Sequence, residues 1–553
     1  MKHKKTMLLV SLMVLLMLIL SACGGGNAEP ATEEPVSEEP VAEEPVEEPT
    51  EAPMEEPTEA PMEEPMEEPL IIGTTDSWES FDSAWVYSFH DWELTHQCAD
   101  GLLNSVPGTA GEIAPALAES YTVSDDGATY TFKLREGVVF PDGSPFNADA
   151  VIYTFDRIPK IAEVTSGDAS FLFTDYVASY EKVDDMTVSV TFAGAYAYAP
   201  QLVATNPWKI VNPATWTDTE SNTNNTSCGI GPYIIESFTE SEEATFVANE
   251  SYYGDAPKEA KVILRYFADS STMALALQNG EIDIAWKSLS PADLTAAEGF
   301  EGVIVESQGG TEARFMGINV NTPPFDNPKV RQGIASFINR EDLTDLAWQG
   351  IKVPMWSVIP AGFFGQKDAF AETENVEAGK ALLAEAGFNE ANPLVMDFYY
   401  SPTHYGDTEP DVAAMVKSQL EASGVVQVTL NALEWTAFKE AERAESMPAF
   451  LIGWYPDYLD PDNYVVPFLR SAMTWNGAGY GTEEMDALLA AQAVEGDPAT
   501  RADLLGQIQD LAVTESPFVP LAQGGLFVAY REGISNIVLD PLSLFHYFLI
   551  EKN

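Results

Sequence analysis

Two segments of the chain alternate apolar and polar residues in the manner of half-buried strands: Tyr130-Thr-Phe-Lys-Leu134 and Thr187-Val-Ser-Val-Thr-Phe192. Asp125-Asp126-Gly127, just ahead of the first, is a turn signal. Pro141-Asp142-Gly143-Ser144 is another, and Asn147 or Asp149 then caps a helix whose apolar positions are Val151, Ile152, Phe155 and Ile158. The spacing of Val330, Ile334, Phe337 and Ile338 predicts a helix around Lys329 to Asp345, after the turn Pro323-Pro324-Phe325-Asp326-Asn327. Glu377 to Ala386 and Asp411 to Ala422 read as helices ended by Gly387 and Gly424, and the second runs into a strand, Val425 to Leu430. Strands that alternate with helices in this way predict mixed α/β layers.

The N-terminus follows a different pattern. Lys2, Lys4 and Lys5 precede apolar runs from Met7 to Val10 and from Leu12 to Leu20. That stretch is too short to cross a bilayer comfortably and begins right after the charges, so it reads as a secretory signal. Leu20-Ser21-Ala22-Cys23, followed by three glycines, resembles the bacterial lipobox, in which the cysteine is acylated and becomes the new N-terminus. Several acyl chains on Cys23 would hold the protein firmly at a membrane, where one alone would not. From Glu29 to Pro69 the chain repeats Glu-Glu-Pro with small fillers and no basic residue. Such a segment cannot bury enough surface to offset its conformational entropy, and its like charges repel. It is expected to be a disordered, semi-rigid stalk of at most about 3.1 Å per residue.

The remainder, from about Leu70 to Asn553, is long enough for two or three lobes with full-sized cores. With 87 acidic against 27 basic residues, the formal charge is −60. That balance argues against nucleic-acid or anionic-membrane binding, which need a basic face. With Cys23 assigned to lipid, Cys98 and Cys228 are the remaining pair, and a disulfide between them is a possibility in an oxidising compartment. Glycine-flanked serine elbows, P-loops and zinc-protease motifs are missing from the sequence, so an enzyme is disfavoured and no cofactor or metal is expected. His90, His96 and Cys98 come nearest to a metal cluster but lack ligand spacing. Asp460, Asp462 and Asn463 read as a turn rich in caps rather than a calcium loop.

Longer motifs carry a resemblance. The run from Tyr121 through Phe140-Pro-Asp-Gly-Ser144 looks like the signature of family 5 extracellular solute-binding proteins, which serve peptide and nickel ABC importers. The likeness continues through Gly229-Ile-Gly-Pro-Tyr233, Asn249-Glu-Ser-Tyr-Tyr-Gly254, Leu275 to Asp283, Asn319 to Arg340 and Leu382 to Phe388, in family order. It implies a type II periplasmic-binding-protein-like α/β fold of two hinged lobes with an extra inserted lobe. Its expected layout is 1–23 signal with lipobox, 24–69 stalk, 70–113, 213–310 and 524–553 lobe I, 114–212 inserted lobe II, and 311–523 lobe III.

The resemblance also implies a ligand buried between lobes, ABC permease subunits as partners, and a monomer. Glu434-Trp435 and Gly453-Trp454-Tyr-Pro-Asp457 resemble the pocket of oligopeptide binders, where two tryptophans and an aspartate face the ligand. Asp457 would pair the ligand's α-ammonium, because an amine leaving water needs a fixed counter-charge. Trp435 and Trp454 would supply flat apolar walls. The arginine that tripeptide binders carry just before the Trp454 position is replaced by apolar Phe450-Leu451-Ile452. An oligosaccharide or a chelated metal on the same fold is the alternative ligand.

Overall fold

The computed structural model describes residues 68–164, 169–218, 228–287, 289–471, 473 and 476–553. The secretory segment, Cys23 and all but the last two residues of the acidic stalk lie outside the described residues.

The alternating segments form one small sheet. Ala118–Val123, Thr129–Leu134, Thr187–Phe192 and Val177–Asp184 lie antiparallel in that order. Tyr130, Phe132, Leu134, Val188, Val190 and Phe192 all point to its buried face, as a period of two requires. The helix Ala148–Val164 covers that face with Val151, Phe155, Ile158 and Ile161 fully buried. Asn147, not Asp149, caps it by accepting from the backbone N–H groups of Asp149 and Ala150.

A large mixed sheet runs through the rest of the molecule. From one edge its strands are Val426–Ala432, Leu394–Tyr400, Ala449–Trp454, Val303–Ile318, Phe518–Arg531, Ile284–Trp286, Leu70–Thr74, Lys261–Tyr266, Glu243–Ala248 and Tyr233–Thr239; Lys352–Pro354 also pairs with Phe518–Arg531. Leu70–Thr74 is parallel to both of its neighbours, and so is Leu394–Tyr400. Each therefore centres a half with its own core. One core gathers Leu70, Ile72, Leu264, Ile284, Val528 and Tyr547; the other gathers Ile318, Ile334, Leu394, Phe398 and Leu451.

Among the described residues, two strands belong to both halves. Val303–Gly309 pairs with Gly525–Arg531, Ala313–Gly317 pairs with Phe518–Gln523, and the register breaks between Gly309 and Ala313. This is a type II periplasmic-binding-protein-like fold, with two lobes joined by hinge strands and a third, inserted layer.

The segment Lys329 to Asp345 departs from the expected single helix. It divides into Pro328–Ala335, Arg340–Asp342 and a wider-wound turn, Leu343–Ala347. Asn339 restarts the helix by accepting from the Asp342 N–H at 2.7 Å, while Asn375 donates to the Ser336 carbonyl. Buried Arg340 sits at the restart and donates to the carbonyls of Met355 and Pro520. Elsewhere, Cys98 and Cys228 are joined in a disulfide, with Cα atoms 5.5 Å apart and 130 residues between them in sequence.

Candidate ligand-binding site

Three parallel strands deliver their following segments at the same, carboxyl, end. Leu394–Tyr400 leads to His404 and Tyr405, Val426–Ala432 leads to Trp435, and Ala449–Trp454 leads to Asp457. Ligands of open α/β sheets sit in the crevice outside strand carboxyl ends, because the loops there are free to vary.

Asp457 is buried at 4% exposure. Asn463 organises it: the Asn463 Oδ1 accepts from the Asp457 backbone N–H at 2.8 Å, and its Nδ2 donates to Asp457 Oδ2 at 3.2 Å. The same Oδ1 accepts from Trp454 Nε1 at 3.3 Å, so Trp454 and Asp457 are tied to one amide. From the other lobe, the Tyr87 hydroxyl donates to Asp457 Oδ1 at 2.6 Å. All these partners are neutral. Burial therefore prevails, pushing the Asp457 carboxyl up to about 6 against the pull of the Tyr87 and Asn463 hydrogen bonds.

Trp435 belongs to another part of this region. Its ring stacks on His404 with centroids 3.4 Å apart and meets Tyr405 edge-on at 5.7 Å. Burial, with help from Arg314 and Lys439, lowers the His404 imidazole to about 4, so the stack is neutral. Both tryptophans border the apolar cluster of Phe438, Phe450 and Phe468, but Trp454 alone shares a partner with Asp457.

Several residues of the region had no sequence signal. Arg314 is fully buried opposite Gly453, with its guanidinium 3.8 Å from the Tyr405 ring centre and ion-paired to Glu409. Gly453 is needed there, since a Cβ would fall 2.3 Å from Arg314 Nη1 and 2.7 Å from the Tyr405 ring. Tyr87 lies 370 residues from its partner, a separation no local pattern bridges. Asn463 had a signal, its place in the polar turn after Asp457. The turn is indeed cap-rich: Asp460 Oδ1 accepts from the Asp462 N–H at 2.8 Å.

His90, His96 and Cys98 share the helix Phe89–Cys98 but go to separate surroundings. His90 meets the Tyr266 hydroxyl at 2.9 Å and Cys98 is in the disulfide. His96 lines a cavity between the lobes, together with Phe89, Trp92, Gln201, Asp457 and Leu459 among others. Tyr455 also meets Phe89 across the lobes, with ring centres 5.4 Å apart.

The profile for bacterial extracellular solute-binding proteins, family 5 Middle, matches residues 112–476. The chain belongs to this family. Among family relatives, the glutathione-binding protein GsiB of Escherichia coli K12 is 29% identical over 439 residues, covering 77% of this chain and 83% of that protein. The dipeptide-binding protein of the same organism is 24% identical over 461 residues, covering 79% and 85%. The solved structure of HbpA2 from Haemophilus parasuis superposes with a TM-score of 0.78 at 23% identity, covering 88% of this chain and all of that one. Members of this family work outside the cytoplasm with ABC permeases, and among the described residues no helix is long and apolar enough to cross a membrane.

Proposed function

We propose that this protein is a lipid-anchored capture protein that delivers a peptide to an ABC importer by closing its lobes over the ligand. The observation that carries the peptide reading is Asp457, a buried carboxylate whose hydrogen-bond partners are all uncharged. A buried anion of this kind is stabilised by a cation that arrives with desolvated N–H donors, and a peptide's α-ammonium is such a group. Trp454, held beside it through Asn463, offers an apolar wall next to the charge. The glutathione- and dipeptide-binding relatives support a peptide-like ligand. The anchor rests on Leu20-Ser-Ala-Cys23, and the Glu/Pro stalk would hold the lobes away from the lipid surface. Lobe closure would use the two shared strands as hinges, with the Tyr87–Asp457 contact closing the mouth.

The test is to purify the protein, denature it and identify the released ligand by mass spectrometry. A pool of peptides is expected, and their loss in Asp457→Ala would place the amine at this carboxylate. A single sugar or a metal chelate in the released fraction would overturn the reading.

A further inference from the structure

The residue after Asp457 makes a second contact across the mouth, and this one reaches the inserted layer. Beyond the strand Thr187–Phe192, Tyr196 and Tyr198 stack with ring centres 5.5 Å apart, and Tyr176 meets Tyr196 edge-on at 5.4 Å. Tyr198 also stacks on Tyr458, with centres 5.3 Å apart and planes within 14° of parallel. Both of these rings are buried. One residue earlier, the Ala197 N–H donates to the Ala493 carbonyl at 2.8 Å. Ala493 ends the helix Glu483–Ala493, where the last carbonyls have no partner within the helix, so the inserted layer supplies a donor that the helix cannot. The apolar core under the inserted sheet runs on into Tyr458, Leu459 and Ala493.

Both sides of this contact are built before they meet. The Tyr458 hydroxyl donates to Asp462 Oδ2 at 2.9 Å, and Gln492 donates to Asp462 Oδ1. Arg501 donates to Gln492 Oε1 at 3.1 Å while it pairs with Asp460. None of these partners belongs to the inserted layer. On the other side, Tyr176, Tyr196 and Tyr198 hold one another. Docking two surfaces already in place orders few side chains, so little conformational entropy opposes it.

We propose that Tyr198, Tyr458 and the Ala197–Ala493 hydrogen bond form a catch that draws the inserted layer onto the Asp457 lobe in the ligand-free protein. The inference rests on lobe closure but on no property of the ligand, since every group in the catch belongs to the chain. Part of the free energy of closing then comes from the protein itself. A catch of this kind stabilises the closed form with or without cargo. It lengthens the stay of a captured ligand and slows the entry of the next.

The Ala197 amide reads the catch, because its hydrogen bond crosses between the lobes. Hydrogen–deuterium exchange of the full chain, freed of ligand by unfolding and refolding, should show this amide protected relative to an unstructured peptide. Tyr198→Leu and Tyr458→Leu remove the stack from opposite sides and keep an apolar side chain. Each should speed exchange at Ala197 about 3-fold to 10-fold, the worth of one aromatic pair. The amides of Thr129–Leu134, which lie within the inserted sheet, should hold their rates. An Ala197 amide that exchanges at the unprotected rate in the ligand-free wild type, or at the wild-type rate in both variants, would overturn the catch. Equal acceleration at Ala197 and across Thr129–Leu134 would overturn it too, because the substitutions would then have loosened the layer itself and not its docking. No ligand enters the measurement, so each of these results leaves the peptide reading to its own test.

Discussion

Two aspartates three residues apart on one loop meet burial in opposite ways. Asp460 is held by Arg501 in a two-pronged ion pair, Nη1 to Oδ2 at 2.9 Å and Nη2 to Oδ1 at 2.6 Å. Asp457, equally buried, receives only a phenol and an amide. Asp460 therefore carries its counter-charge within the fold and serves to fix the loop. Asp457 is left without a counter-charge from the fold, as the proposed capture of an amine requires. The difference would be invisible to a count of acidic residues in a chain this acidic.

The largest test of the contrast is Arg501→Met. It strands Asp460 in the interior and should lower the unfolding free energy by about 3–5 kcal/mol in urea titrations. Adding Asp460→Asn should recover much of that loss. If Arg501→Met were harmless, Asp460 would not be the structural member of the pair.

Next in size is Asp457→Asn. It should weaken a free-amine peptide by about 2–3 kcal/mol in calorimetry, or roughly 30-fold to 150-fold. Its urea midpoint at neutral pH should hold or rise, because an unbalanced buried charge has been removed. A midpoint that fell as far as in Arg501→Met would erase the distinction.

The pH dependence sharpens the comparison further. Asp457 in the fold sits at about 6, above the about 3.9 of an unfolded aspartate. Between those values the folded state holds a proton that the unfolded state has released. Stability from this group is therefore highest below about 3.9 and falls as pH rises through about 6, by on the order of 2–3 kcal/mol at most. Asp462, also raised to about 6 mainly by burial, contributes with the same sign. Because His404, His96 and His90, all lowered by burial, act with the opposite sign, the check is the difference between wild type and Asp457→Asn: the wild-type urea midpoint should fall relative to the variant's as pH rises through this window. Affinity for a cationic peptide should move the other way, weakening as Asp457 takes up its proton.

The smallest effect is expected of Tyr87→Phe. Losing one hydrogen bond to the carboxylate should cost about 1 kcal/mol of ligand affinity. Because that bond lowers the Asp457 carboxyl, its loss should shift the pH window upward, readable from the same urea series.

How much of this was legible in the sequence follows from the range of the interactions. Thr187–Phe192 was readable residue for residue because a strand with one wet face imposes its own alternation. Glu377 to Ala386 was readable within one residue at each end, and Asp411 to Ala422 began two residues late because Glu409-Pro410 forms the first turn. The break after Ala335 was missed because apolar spacing continues across it, through Phe337 and Ile338, while Asn339 restarts the helix with a local hydrogen bond. Trp454 and Asp457 stand together in one short motif, which is legible along the chain. Tyr87 gives no such signal, since only folding brings it to Asp457 across 370 residues of sequence. Arg314 gives no local signal either: it stands on the strand beside that of Trp454, opposite Gly453.

Four glycines mark the place where the two shared strands pass from one lobe to the other. Gly309 is paired with Gly525, and a Cβ on Gly310 would come within 2.9 Å of the Gly524 carbonyl oxygen. A Cβ on Gly525 would likewise press on the Ile351 carbonyl oxygen at 2.8 Å. With no side chains to repack, the crossing behaves as a torsional spring whose compliant length is only a few residues. A single added methyl group would stiffen that spring. On the proposed closure, substitutions at this crossing would change the opening rate, and with it ligand residence time, without altering a contact at Asp457.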